Sequence, residues 1–138
     1  MEYGESLQFL YGLRQAGIKL GLKNIALLLG ALDHPQNRFP SLHVAGTNGK
    51  GSTASCLAAI LSAAGFRTGL YTSPHLQRFN ERIRVDGAPV GDGELAALIT
   101  EVKERGRGRG ATFFEFATAV AFLCFERRRV DFAVIETG

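Results

Sequence analysis

The chain has 138 residues, a length that suits one domain, and 46% of them are hydrophobic while 21% are charged. That balance excludes a chain that is disordered throughout. The formal net charge of +3 does not by itself indicate a nucleic-acid-binding protein, and the longest apolar segments are too short to cross a membrane.

The first part of the chain predicts two short helices. Apolar residues recur on one face over residues 5–16 and again over residues 22–33, which is the spacing of an amphipathic helix. The second helix is expected to end near His34, because a residue that precedes proline avoids helical geometry.

From residue 42 onwards the pattern alternates between strands and helices. The predicted strands cover residues 42–45, 68–71, 82–85, 88–90 and 130–135. The predicted helices cover residues 50–64, 92–105 and 113–127. Asp86-Gly87 is a hairpin turn signal, and the composition of 130–135 is that of an interior strand with neighbours on both sides. The alternation predicts an α/β fold with a parallel sheet covered by helices on both faces.

Two groups of residues outside this pattern carry weaker signals. Cys56 and Cys124 fall within predicted helices without metal-binding spacing, so both are expected to be buried thiols in a reducing compartment. The arginines at 105–109 and 127–129 suit either a patch that binds RNA or an anionic substrate, or a solvated loop and a cationic helix C-terminus. The second interpretation is favoured, because no aromatic residues alternate with these arginines.

A glycine-rich turn joins the strand at 42–45 to the following helix, and it reads Gly46-Thr-Asn-Gly-Lys50-Gly-Ser52. Glycines let consecutive backbone N–H groups point at one place, and the helix N-terminus adds partial positive charge there. Lys50 can reach the terminal phosphates of a nucleotide, while the hydroxyl of Ser52 or Thr53 can approach a phosphate or a magnesium ion. The turn therefore predicts a mononucleotide phosphate-binding loop.

The spacing of this loop excludes a nearby alternative. Only Thr47 and Asn48 separate Gly46 from the Gly-Lys pair, so the loop is a shortened variant of the general P-loop motif. The order of its glycines differs from the dinucleotide fingerprint, which argues against hydride transfer. A turn without a ligand is a poor interpretation, because a lysine stands at its mouth.

Further segments follow in a specific order. They are Leu42–Ser52, Tyr71–Leu76, Glu81–Arg84, Thr112–Glu115 and Val134–Gly138, with Gly17–Leu22 and His34–Gln36 towards the N-terminus. Together they resemble the folylpolyglutamate synthase and dihydrofolate synthase family, a branch of the Mur-type ligase superfamily. The resemblance covers nearly the whole chain, and the ordered set is more specific than any one motif.

The resemblance implies a P-loop ATPase-type core, part of a Mur-ligase central domain. Residues 1–138 would be the N-terminal part of the ATP-binding domain, without the rest of that domain or the C-terminal domain. The implied activity is ATP-dependent ligation of L-glutamate to dihydropteroate or folates through an acyl phosphate, in the cytoplasm. The fragment alone is expected to be inactive and to self-associate, whereas the whole enzyme would be monomeric, with no nucleic-acid or membrane partner.

The resemblance also implies roles for individual residues. The ATP contacts would be Thr47, Asn48, Gly49, Lys50, Gly51 and Ser52, with Lys50 the catalytic residue. Ser73 and Glu136 would be ligands of Mg²⁺. Thr112, Phe113, Phe114 and Glu115 would contact the pterin, and locally they also read as a helix capping box. His75 is interpreted as a loop-packing residue, because magnesium disfavours imidazole.

The residues leave open whether the parent enzyme adds the first glutamate, later ones, or both. They also leave two alternative functions: a non-catalytic ATP-binding module, or another P-loop nucleotide-dependent enzyme such as a kinase. The Ser-Pro-His loop at 73–75 and Glu136 argue against the kinase.

Overall fold

The computed structural model describes residues 1–17, 21–46, 48–107 and 110–137. The chain divides into two compact units. The first unit combines Met1–Gln36 with Asp92–Cys124, and the second combines Asn37–Gly91 with Phe125–Gly138.

The elements of secondary structure follow the predicted order. The helices are α1 (Tyr3–Gly12), α2 (Lys23–Ala31), α3 (Lys50–Ala63), α4 (Asp92–Arg105) and α5 (Phe113–Arg127). The strands are β1 (Ser41–Val44), β2 (Thr68–Tyr71), β3 (Ile83–Val85), β4 (Ala88–Pro89) and β5 (Phe132–Glu136). No helix in the described ranges is both long enough and apolar enough to span a membrane.

The boundaries differ from the predictions at a few places. A 3₁₀ turn over Leu13–Ala16 finishes the first helical segment. Helix α2 ends at Ala31, before the predicted position, because Asp33 and His34 take left-handed backbone conformations with φ of 62° and 53°. The His34 N–H then donates to the Leu29 carbonyl oxygen over 2.9 Å, which satisfies a carbonyl of the last helical turn.

In the first unit, α1, α4 and α5 share an apolar interior. Leu95, Ile99 and Val102 lie on the buried face of α4 and have no exposed surface. The rings of Phe9 on α1 and Phe116 on α5 meet edge to face, with centroids 5.2 Å apart. These contacts bury the apolar stripes that the sequence pattern predicts for each helix.

The second unit is built around a sheet. Among the described residues it has five strands in the order β1-β5-β2-β3-β4. Strands β1, β5 and β2 are parallel, whereas β3 and β4 are antiparallel additions. The predicted parallel sheet is therefore right for its core, but the whole sheet is mixed. After residues 72–82 the chain returns antiparallel to β2 as β3, and the turn at Asp86 and Gly87, with φ values of 51° and 82°, reverses it again into β4.

Helices cover both faces of the parallel core, as predicted. On one face, Ala54 of α3 packs with Leu70 of β2 and Val134 of β5 in a buried cluster. On the other face, the Phe125 ring of α5 lies over Gly69, where an added Cβ would stand only 2.6 Å from the ring. Glycine at 69 is what permits this close approach.

Strand positions correspond to their composition. The apolar strand β5 lies between β1 and β2, which confirms the interior position predicted for it. Strand β1 forms one edge, and its residues are exposed except for Val44, which is half-buried. Leu42 on that edge keeps 38% of its surface exposed.

The expectation of two buried thiols is wrong for one of them. Cys124 is buried, but Cys56 is exposed. Helix α3 turns only one side towards the sheet, the side that carries Ala54, Leu57 and Leu61. At 3.6 residues per turn Cys56 falls on the opposite side, towards solvent.

Candidate nucleotide-binding site

The carboxyl ends of the three parallel strands meet at one edge of the sheet. Val44 of β1 is in register with Glu136 of β5, and Tyr71 of β2 is in register with Ile135. The glycine-rich loop follows β1, Ser73 follows β2, and Glu136 ends β5. The structure thus brings together three features that the sequence places far apart, at the edge where such sheets bind ligands.

Backbone conformation shapes the glycine-rich loop. Gly46 and Gly49 have φ values of 148° and 73°. Gly49 is left-handed and directly precedes Lys50, the first residue of α3. Asn48, Gly51 and Ser52 are exposed, so the first turn of α3 faces solvent. Of the six predicted ATP contacts, Thr47 lies outside the described residues.

The Lys50 side chain folds back over this loop. Its ammonium Nζ donates to the carbonyl oxygen of Gly46 over 3.3 Å. The bond holds the positive charge at the mouth of the loop, where the N–H groups of the α3 N-terminus are also found. The carbonyl is a weak partner that a phosphate oxygen can replace.

Glu136 is a buried carboxylate, with 4% of its surface exposed. Its Oε2 accepts the backbone N–H of Ser73 over 2.9 Å. Burying a polar group without a hydrogen-bond partner is costly, so this bond helps to hold the side chain in place. In the described part of the chain, no group of three or more His, Cys, Asp or Glu side chains is arranged to hold a metal ion.

A second loop, residues 72–82, contains Ser73 and is held by an acidic side chain to which the sequence analysis assigned no role. The Glu81 carboxylate accepts the backbone N–H groups of Leu76, Gln77 and Arg78, the shortest over 2.7 Å from Leu76. The Leu76 N–H is the main cause that lowers the pKa of Glu81 below its ordinary value. Glu81 was visible only as part of the Glu-Arg-Ile motif, which does not reveal these bonds.

The histidine of this loop packs within it. His75 Nδ1 accepts the Nε–H of the buried Arg82 over 2.8 Å, and its ring meets that of Phe79 edge to face. These contacts agree with the interpretation of His75 as a loop-packing residue.

A further pair of residues joins β1 to the chain that follows β5. His43 Nε2 and Thr137 Oγ1 are hydrogen-bonded at 2.6 Å, and the Thr137 N–H donates to the Val44 carbonyl. No motif indicated this pair, because its members are separated by most of the chain.

The Thr112–Glu115 segment belongs to the first unit. Its predicted capping box is confirmed: the Glu115 carboxylate accepts the Thr112 N–H over 2.9 Å, and the Thr112 hydroxyl accepts the Glu115 N–H over 3.2 Å. Phe113 is buried, with its ring stacked on Tyr11 and beneath Arg14. Phe114 is 54% exposed, so it is the aromatic ring of the segment that a ligand can reach.

Comparisons with known proteins relate this geometry to a family. No family model matches the sequence. The chain is 40% identical to the dihydrofolate synthase/folylpolyglutamate synthase of Bacillus subtilis, over 99% of this chain and 33% of that relative. The crystal structure of a bifunctional folylpolyglutamate synthase/dihydrofolate synthase from Yersinia pestis gives a TM-score of 0.92 at 34% identity, over 100% of this chain and 34% of that one.

The chain matches the folylpolyglutamate and dihydrofolate synthases, as its motifs predict. The Yersinia enzyme was crystallised as a complex with AMPPNP and Mn ion. Another structure of a bifunctional enzyme of this kind has Mn, AMPPNP and L-glutamate bound, with a TM-score of 0.91 at 34% identity over 100% of this chain and 33% of that one. The chain spans about a third of the length of these relatives.

Proposed function

We propose that this chain is the N-terminal, nucleotide-binding part of an ATP-dependent amide ligase of folate metabolism. The whole enzyme would add L-glutamate to dihydropteroate, to folates or to both through an acyl phosphate. The observation that carries the proposal is the meeting of the glycine-rich loop, Ser73 and the buried Glu136 at one sheet edge. The match to ligases of this kind over 99% of the chain supports it.

The glycine-rich loop would hold the triphosphate of ATP. Backbone N–H groups from Asn48 to Ser52 would surround the phosphates, together with Thr47. Lys50 would exchange its bond to the Gly46 carbonyl for the terminal phosphate oxygens. There it would neutralise the charge that develops as the phosphoryl group moves to a carboxylate, which makes it the catalytic residue.

The residues at the strand ends fit Mg²⁺. Glu136 and Ser73 offer a carboxylate and a hydroxyl, which are hard oxygen ligands, and Mg²⁺ commonly uses one or two carboxylates together with substrate phosphates. Among the described residues, the Ser73 N–H bonds Oε2 of Glu136, which orients the carboxylate and leaves Oε1 for the cation. Bound there, Mg²⁺ would supply electrostatic stabilisation of the transferred phosphoryl group.

The Thr112–Glu115 segment would contact the pterin through Phe114. Thr112 and Glu115 are engaged in the capping box, and Phe113 is part of the interior. The exposed Phe114 ring offers a flat apolar face on which a pterin can stack. Glu115 could accept from ring N–H groups with carboxylate lone pairs that the capping bond leaves available.

Several properties of the whole enzyme stay predictions. They are its cytoplasmic location, its monomeric state, and the absence of nucleic-acid and membrane partners. Ligation by residues 1–138 alone is not expected, because the glutamate-side groups would come from the rest of the enzyme. Self-association of this chain is expected at the exposed edge of β1, where unpaired backbone groups invite another strand.

The test is titration of AMPPNP into the chain by calorimetry, with and without Mg²⁺. Lys50→Ala should weaken binding about 10- to 100-fold, because it removes a charged hydrogen bond to phosphate. Glu136→Gln should remove the dependence on Mg²⁺ while leaving metal-free binding unchanged. Lys23→Ala, at the exposed start of α2, is the matched control and should bind as the parent does. Unchanged binding by Lys50→Ala would show that the loop is not the site.

A non-catalytic ATP-binding module is the alternative, because the groups that meet at the sheet edge account for nucleotide binding alone. Glutamate-dependent release of ADP, measured with dihydropteroate and tetrahydrofolate, separates the two functions when the whole-length enzyme is compared with its Lys50→Ala variant. Release of ADP by the parent enzyme but not by Lys50→Ala supports the ligase function. Binding of nucleotide without release of ADP supports the non-catalytic module.

A further inference from the structure

The first unit contains a cavity of about 440 Å³ that the proposed function does not use. It opens beside α1, α2, α4 and the start of α5. Its volume falls in the range of small-molecule sites, about 300–1,000 Å³. Its lining includes the apolar side chains of Phe9, Leu28, Val102 and Phe116 and the polar side chains of Lys103 and Thr100. All of them belong to the first unit, whereas the nucleotide site belongs to the second.

Several walls of the cavity are buried apolar side chains. Leu28, Val102 and Phe116 are buried, with at most 4% of their surfaces exposed. The edge-to-face pair of Phe9 and Phe116 fixes two ring planes against each other. The chain at Gly106 lies so close to Leu28 that an added Cβ would stand 2.3 Å from its Cδ1. A flat apolar group is the shape that such walls accommodate.

One side of the cavity is positively charged. The ammonium Nζ of Lys103, in the last turn of α4, lies 4.5 Å from the centre of the Phe9 ring. This cation–π contact keeps the charge against the aromatic wall. Arg107 also lines the cavity, and Glu104 is the acidic residue among its lining side chains. The balance of these side chains is positive, which complements an anion.

We propose that this cavity binds a small aromatic carboxylate. Its ring would lie against Phe9, Leu28 and Phe116, and its carboxylate would pair with Lys103. Burial of the apolar surface of the ring contributes favourable binding free energy. The carboxylate gains a partner that is already held at the wall, so little side-chain freedom is lost on binding. The site is separate from nucleotide binding and does not depend on the proposed ligase function.

The experiment compares two ligands of nearly the same shape on the full chain. Naphthalene-2-carboxylate carries the charge, and naphthalene-2-methanol does not. Calorimetric titration should show the carboxylate binding about tenfold more tightly, the ratio that corresponds to about 1.4 kcal/mol. Lys103→Gln should reduce that ratio to near one while the alcohol binds as before. Glu104→Gln, the matched control on the neighbouring residue, should keep the preference or increase it.

Two further variants locate the ligand. Ala111→Leu places a larger side chain in the cavity lining and should abolish binding of both ligands, with an unchanged thermal unfolding transition as the check on folding. Phe114→Ala should leave both affinities unchanged, because Phe114 does not line the cavity. The proposal is overturned if the parent binds neither ligand or binds both equally, if Lys103→Gln keeps the preference, or if Phe114→Ala loses binding.

Discussion

Two loops lie at the carboxyl edge of the sheet, and they are positioned by different physical means. The glycine-rich loop between β1 and α3 is shaped by backbone conformation, above all by the left-handed Gly49. The loop at 72–82 is shaped by side chains that bind its backbone, with Glu81 accepting successive N–H groups. The conformation of the first loop follows from the glycines within the loop itself. The second depends on an acidic side chain that reaches back to N–H groups three to five residues before it.

The largest expected effect tests the backbone-shaped loop. Gly49→Ala should destabilise the chain by about 1–2 kcal/mol, because an alanine in the left-handed region meets its own carbonyl oxygen. Relief of that strain would move the backbone N–H groups that are proposed to surround the phosphates. AMPPNP binding should therefore weaken as well. Thermal unfolding and calorimetric titration measure the two effects.

Gly51→Ala is the matched control for that prediction. Gly51 lies inside the first turn of α3 and does not have positive φ, and an added Cβ would meet nothing within 4 Å. Alanine should therefore raise stability, by up to about 1 kcal/mol, through helix propensity. If both alanine variants change stability in the same direction, the special role assigned to Gly49 is refuted.

A smaller, local effect is expected for the loop at 72–82. Glu81→Gln replaces a charged acceptor by a neutral one, so the amides of Leu76, Gln77 and Arg78 should exchange with solvent faster. Amides in the interior of α4 should exchange as before. Hydrogen exchange followed by NMR measures this, and equal exchange in parent and variant would exclude Glu81 as the residue that orders the loop.

The smallest effect is a dependence on pH. The N–H of Leu76 is the main cause that lowers the pKa of Glu81 in the folded chain. The resulting stabilisation is complete above the ordinary pKa of a glutamate and is lost as the pH falls through the lowered value. Protection of the Leu76 amide should thus be constant near neutral pH and decline in acid, and the decline should vanish in Glu81→Gln.

The same distinction explains what the sequence could predict. The helices, the strands, the glycine-rich loop and the Thr112–Glu115 capping box follow from local spacing and residue type, and all were predicted. The mixed sheet and the exposed Cys56 follow from the neighbour that each residue meets in space. The bonds of Glu81 span only three to five residues, but no role was assigned to Glu81 from the sequence. The sequence could predict that Ser73 lies near Glu136 only because parallel strands align their carboxyl ends. The Lys103 cavity has no local signal, since its walls come from separate helices.

The strand order has a consequence for how the chain acquires its structure during synthesis. Strand β5 lies between β1 and β2, and its pairing with β1 joins residue 41 to residue 133. Until residues beyond 130 leave the ribosome, β1 and β2 are both made but have no strand between them. The nascent chain would therefore carry unpaired strand edges until β5 emerges, and chaperones that bind extended segments could act on it during that interval.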